Sequence, residues 1–215
     1  MHQIADKTTA RRFYLLLLAC LAIMISACAG QKTKQEPEPG SPTENQNPTP
    51  QTVAEFTQWN LKGKLGVRSP KENGSANLAW LQGGAENFRL HLSGPLGAGT
   101  TVITGSAGGV SLVRGSEPPI YARNPAQLTQ EALGWPLPAR EMFYWVRGLP
   151  APGAKSGEQR NAQGQLQSLQ QSGWALSFSE YRSEGSFMLP TRIKAQTNSP
   201  TGPVSVTLVI KDWGL

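Results

Sequence analysis

The chain has 215 residues, enough for one large domain or two small ones. Its 20 basic and 14 acidic residues give a formal charge of +6, but no Lys/Arg cluster interleaves with aromatic residues, which argues against a nucleic-acid partner. Cys20 and Cys28 are the only cysteines and His2 and His91 the only histidines, so neither a disulfide framework nor zinc-ligand spacing is present.

The N-terminus reads as a targeting segment. Lys7, Arg11 and Arg12 precede an apolar run from Phe13 to Ala27, which is short for a transmembrane helix and flanked like a signal peptide. The run ends Ile25-Ser26-Ala27-Cys28 and resembles a bacterial lipobox, in which a peptidase cuts before a cysteine that carries diacylglycerol and is then N-acylated. Cys20 is a competing site, but cleavage there leaves an apolar region of only about seven residues. The expected organisation is therefore a signal peptide at 1–27, a lipidated Cys28 with a Pro-rich tether at 28–51, and a folded domain at 52–215. Without the signal peptide, 17 basic residues face 13 acidic ones, a charge of +4. By the sorting rule known for enterobacterial lipoproteins, Asp after the acylated cysteine retains a protein in the inner membrane. Ala29 stands there instead, so a lipid-anchored location at the outer membrane is expected.

From Thr52 onward the periodicity is mostly that of strands. A short amphipathic piece, Val53 to Gln58, leads into Trp59–Arg68, where Trp59, Leu61, Leu65 and Val67 share a face. Ser75–Gln82 repeats the alternation with Ala76, Leu78 and Trp80, and Phe88, Leu90 and Leu92 alternate with Arg89, His91 and Ser93. Gly94-Pro95-Leu96-Gly97 then reads as a turn into a strand at Thr100–Thr104, with another at Val110–Arg114. Leu96 either folds back under this hairpin or protrudes, and protrusion forgoes roughly 1.5–3 kcal/mol of burial. At 124–148 the period becomes helical. Asn124 is placed to cap, Pro125 suits the first turn, and Gln127 is positioned for a capping box. Leu128, Ala132 and Leu133 face inward. Beyond Pro136 and Pro138, Ala139–Arg147 aligns Met142, Trp145, Val146 and Leu149 on one stripe, with Gly148 as the C′ residue. Strands resume at Gln165–Gln170, Trp174–Phe178, Arg192–Thr197 and Val204–Ile210, so an antiparallel meander curled into a barrel or sandwich is expected.

Little here suggests catalysis, a metal site or a cofactor. His91 lies on the polar phase of a strand, where a solvent-facing role is the simpler reading than a Ser-His-acid triad. Gly63-Lys64 is followed by Leu65 inside a strand and is no phosphate loop. Glu131, Glu141, Glu180 and Asp212 are carboxylates that nothing singles out as a pair. The six tryptophans, at 59, 80, 135, 145, 174 and 213, either fill a core or line a pocket between a curved sheet and the helices.

The ordered segments Ala79-Trp80-Leu81-Gln82, Asn87-Phe88-Arg89-Leu90, Leu92-Ser93-Gly94-Pro95-Leu96-Gly97, Leu133-Gly134-Trp135-Pro136-Leu137-Pro138, Trp145-Val146-Arg147-Gly148-Leu149-Pro150, Met188-Leu189-Pro190-Thr191-Arg192-Ile193 and Lys211-Asp212-Trp213 together resemble the LolB family of outer-membrane lipoprotein receptors. The likeness runs from about Val53 onward and departs mildly at Gly94, where other members often have Asn. It implies a mainly β fold with a few helices: a single unclosed antiparallel β-barrel, lidded by α-helices, around an apolar cavity. Trp80, Phe88, Leu90, Trp145, Trp174 and Phe178 are candidates for that cavity's lining. The implied job is to take acylated lipoprotein cargo from a LolA-like periplasmic carrier and insert it into outer-membrane lipid, with Pro95, Leu96 and Gly97 forming the insertion loop. Such a protein is expected to be a monomer on the periplasmic side of the outer membrane, with no enzymatic activity. Two rival readings are a structural or assembly lipoprotein with a filled β core and a small periplasmic hydrolase.

Overall fold

Large apolar residues at every second position make Gln58–Arg68 a strand, β1, with Trp59, Leu61, Leu65 and Val67 buried on one face and polar residues on the other. The computed structural model describes the backbone of residues 52–95, 99–153 and 155–215, and the side chains of all of these but Lys155 and Ser156. The signal peptide, Cys28, the tether, Leu96 and Gly97 lie outside the described residues. After β1 come β2 (Asn73–Gly83), β3 (Phe88–Ser93), β4 (Thr100–Ser106), β5 (Gly109–Arg114) and β6 (Ile120–Ala122). Two helices follow, α1 (Pro125–Leu133) and α2 (Ala139–Trp145), then β7 (Lys155–Arg160), β8 (Leu166–Gln171), β9 (Trp174–Glu184), β10 (Phe187–Ser199) and β11 (Gly202–Gly214).

The eleven strands form one antiparallel sheet in the order β6-β5-β4-β3-β2-β1-β11-β10-β9-β8-β7. Each half is a meander of neighbours in sequence, and pairing of β1 with β11 joins the halves. The edges β6 and β7 do not pair, so the sheet is unclosed. The chain passes from one edge to the other through α1 and α2. A β-bulge lies where Lys62 pairs with Asp212 but Gly63 with Ile210, and a Cβ at Gly63 would collide with the Val209 carbonyl. Glycine is required at that approach.

The helix signals hold with two changes. The Asn124 side chain caps α1 by accepting from the Ala126 and Gln127 amides, but Gln127 donates forward to Glu131 instead of closing a capping box. Helix α2 ends at Trp145, two residues short of the expected Arg147, and Val53–Glu55 forms a turn before β1. At the end of α2 the Leu149 amide donates to the Tyr144 carbonyl and the Gly148 amide to that of Trp145, a Schellman arrangement with Gly148 left-handed at φ 75°. Strands β6 and β7 escaped the periodicity argument: β6 is only three residues long, and β7 reads Lys-Ser-Gly-Glu-Gln-Arg with no apolar phase.

Candidate functional site

The concave face of the sheet and the helical crossover enclose a void lined only by apolar side chains. Its walls come from β1 to β4, β9 to β11, the Gly134–Pro138 linker and α2. Ile103 on β4 and Leu176 on β9 both border it, although six strand spacings separate them, about 29 Å on a flat sheet. Their meeting at one void measures how strongly the sheet curls. The volume is about 40 Å³.

Four of the six expected lining residues, Trp80, Leu90, Trp145 and Trp174, border this space. Phe88 and Phe178 are buried but do not. Phe88 sits opposite Gly105 in the β3–β4 pair, and its ring covers that glycine so closely that a Cβ there would collide with it. Phe178 is paired with Ile193, and it is Ile193 that borders the void. Alternation alone places both phenylalanines on the inner face without saying how far along the strand the void extends.

Buried glutamines keep the walls apolar. The Trp80 indole N–H donates to Gln82 Oε1 at 2.7 Å, and Gln82 Nε2 donates to the Gly84 carbonyl at 2.6 Å. The Trp145 indole N–H donates to Gln171 Oε1 at 2.9 Å, while Gln171 also accepts from the Ala151 amide and donates to the Ala151 carbonyl. Each indole thus has its polar edge satisfied and its apolar surface available to the void. Sequence reasoning passed over Gln82 and Gln171. A glutamine on the buried phase of a strand, two residues after a tryptophan in the case of Gln82, is the signal that finds such a pin.

Arg147, just beyond α2, is 2% exposed and was also passed over as a structural anchor. It donates from Nε to the Phe143 carbonyl at 2.9 Å and from Nη1 to the carbonyls of Phe56 at 2.7 Å, Val53 at 3.1 Å and Ala54 at 3.5 Å. Its guanidinium carbon lies 4.1 Å from the centre of the Phe143 ring and 5.5 Å from those of Phe56 and Tyr144. Burial lowers its pKa to about 10, the Tyr144 hydroxyl opposing the shift, so it stays charged at neutral pH. An arginine among carbonyls and ring faces ties residues 53–56 to the end of α2. Around it Trp59 packs against Trp80 at 5.0 Å, Trp213 at 5.3 Å and Phe143 at 6.5 Å, and this aromatic cluster fills the adjoining interior.

The remaining candidates are dispersed. His91 is exposed, with Val102 and Ala79 as its strand neighbours. Glu180 pairs with Arg192, Glu141 accepts from Ser172, Glu131 accepts from Gln127, and Asp212 lies exposed on β11. Pro95 is exposed, and the Gly94 amide donates to the Gly99 carbonyl at 3.1 Å, closing the base of the turn.

The family model described as Outer membrane lipoprotein LolB matches residues 57–213. The outer-membrane lipoprotein LolB of Pseudomonas aeruginosa is 37% identical over 202 residues, covering 94% of this chain and 96% of its own. That of Cellvibrio japonicus is 37% identical over 208 residues, covering 93% and 97%. Among solved structures, a LolA superfamily protein from Nitrosomonas europaea is similar with a TM-score of 0.48 and 13% identity, over 74% of this chain and 86% of that one.

Proposed function

Because this chain belongs to the LolB family of outer-membrane lipoproteins, which are not enzymes, we propose that it accepts acylated lipoproteins from a LolA-like periplasmic carrier and inserts them into the outer membrane. The observation that carries this reading is the wholly apolar void beneath a helical cover. In this reading Cys28 bears the lipid anchor, the folded domain stands on the periplasmic side, and acyl chains occupy the space between sheet and helices. Each buried acyl CH₂ is worth about 0.8 kcal/mol, so a triacylated protein does not cross water unaided. A receptor that binds the acyl group more tightly than the carrier and less tightly than the bilayer passes it downhill without nucleotide.

The volume of about 40 Å³ taken alone favours the rival reading, an assembly lipoprotein with a filled core. The receptor reading therefore requires the cover to move when an acyl chain is admitted. Helices α1 and α2 have nine and seven residues. Helices so short are held by packing rather than by their own stability, so the cover moves by exchanging packing contacts.

The test gives the chain a triacylated lipoprotein bound to its carrier, follows transfer to the chain, and then adds vesicles of phosphatidylethanolamine and phosphatidylglycerol. Transfer in both steps without nucleotide is expected. Failure of the chain to take lipoprotein from the carrier would leave the filled-core reading standing.

A further inference from the structure

A cleft of about 270 Å³ lies between the helical crossover and the β2–β4 region of the sheet, with a wall that is part apolar and part polar, Glu72, Ser75, Thr100, Thr101 and Arg114 being among its lining. Leu65, Leu92 and Trp135 line both this cleft and the internal void. Val67, Ala76 and Leu133 line the cleft alone, and Gly94 and Gly99, at the base of the Pro95 turn, stand at its edge. Trp135 is the largest side chain common to the two spaces, and it is carried by the five-residue linker Gly134–Pro138.

The linker is held less firmly than the other end of the crossover. Its amide of Leu137 donates to the buried Thr129 hydroxyl at 2.7 Å, and the Gly134 amide donates to the Gln130 carbonyl. At the cleft, Arg114 donates to the Ala132 carbonyl through an exposed bond, which water can replace at small cost. The α2 end instead has the bonds of Arg147 to three carbonyls of residues 53–56, one buried and two partly buried, and the buried Trp145–Gln171–Ala151 clasp. A cover fixed at one end and lightly held at the other opens at the lightly held end, where Trp135 separates the void from the cleft.

We propose that this cleft is a second subsite for a straight acyl chain and that Trp135 is the gate through which the chain passes between the internal void and the base of the Gly94–Gly99 turn. The proposal rests on the receptor reading and adds to it a route. The void, at about 40 Å³, is smaller than the neighbouring cleft of about 270 Å³, and seating a chain there requires part of the wall to move. Displacing Trp135 toward solvent merges the void with a cleft that is already open, while the Arg147 and Gln171 bonds at the end of α2 stay in place.

Two measurements on the full chain in nanodiscs decide the matter. A synthetic triacylated lipopeptide with a diazirine at the end of one acyl chain is delivered from the carrier, irradiated and mapped by mass spectrometry. Adducts are expected on Ala76 or Leu133 as well as on Trp80 or Trp174. The second measurement uses Ala76→Phe, which fills the cleft from a position that does not border the void. Because a seated chain occupies the cleft, acceptance from the carrier and release to vesicles are both expected to slow by about tenfold, an added barrier of about 1.4 kcal/mol in each. Adducts confined to the void side, or an unaltered release rate in a folded Ala76→Phe variant, overturn the route. If the variant does not fold, the adduct map of the unaltered chain decides alone. If no adduct forms anywhere on the chain, the receptor reading falls and takes the route with it.

Discussion

The interior beneath the helical crossover has two ends built from different side chains. Around Arg147 the aromatic rings of Phe56, Trp59, Phe143 and Trp213 interlock, and a buried guanidinium satisfies carbonyls from two separate segments. Around Leu65, Leu90 and Ile103 the walls are mainly aliphatic, Trp80 and Trp145 have their indole N–H groups engaged by buried glutamines, and a gap remains. Directional bonds and stacked rings specify one arrangement, whereas aliphatic contacts depend on area and tolerate exchange for another hydrocarbon. One end thus anchors the cover, and the other is suited to trading protein contacts for acyl ones.

The largest expected effect falls on the anchored end. Arg147→Met removes the donor that serves the Val53, Ala54, Phe56 and Phe143 carbonyls, and buried acceptors left unpaired make this a loss of about 3–5 kcal/mol in unfolding free energy. Arg147→Lys keeps the charge but not the planar fork, so it should recover only part of that loss. Denaturant titration of the three proteins measures it. A loss under about 1 kcal/mol for the Met variant would show that this end is not an anchor.

Truncations at the two ends sharpen the contrast. Phe143→Ala is expected to cost about 3–5 kcal/mol and Leu90→Ala about 2–3 kcal/mol. The two differ more in function than in stability. Leu90→Ala enlarges the existing void and should raise binding of an apolar fluorophore, while Phe143→Ala opens a space within the aromatic cluster and should leave probe binding in the void unchanged. Equal probe uptake by the two variants would mean that the interior yields uniformly.

Much of this architecture was legible in the residues. Strict alternation from Trp59 to Val67 and from Phe88 to Leu92 gave the strands and their inner faces, and Asn124, Pro125 and Gly148 marked the helical crossover. The curl, and so the extent of the void, was not legible, because alternation reports which face a residue occupies and not its height on a curved wall. Phe88 shows this: its burial follows from its phase, but its position over Gly105 depends on a pairing between two strands. Arg147 was hidden for another reason. Its partners at Val53 and Phe56 are more than 90 residues away and are main-chain carbonyls, which carry no mark in the side-chain sequence. Trp135 stood in a recognisable segment, but its place between two spaces depends on how the linker lies over the sheet.

The smallest effect on stability and the sharpest on function are expected together at Leu96. The base of its turn is closed by main chain, the Gly94 amide donating to the Gly99 carbonyl, and Pro95 is exposed. If Leu96 stands on the surface, as the insertion-loop proposal requires, Leu96→Glu changes unfolding free energy by no more than about 0.5 kcal/mol. At a bilayer the same carboxylate opposes insertion by about 2–4 kcal/mol at depth. Acceptance from the carrier should survive, because the substitution leaves the described void-lining residues such as Leu90 and Ile103 unchanged. Thermal stability, acceptance and vesicle release measured on one variant separate the cases. A large loss of stability would place Leu96 in the core, and normal release would remove the turn from the delivery step. Impaired release from a stable, loaded protein would locate delivery at the turn, a step apart from both the anchor at Arg147 and the binding walls around Leu90.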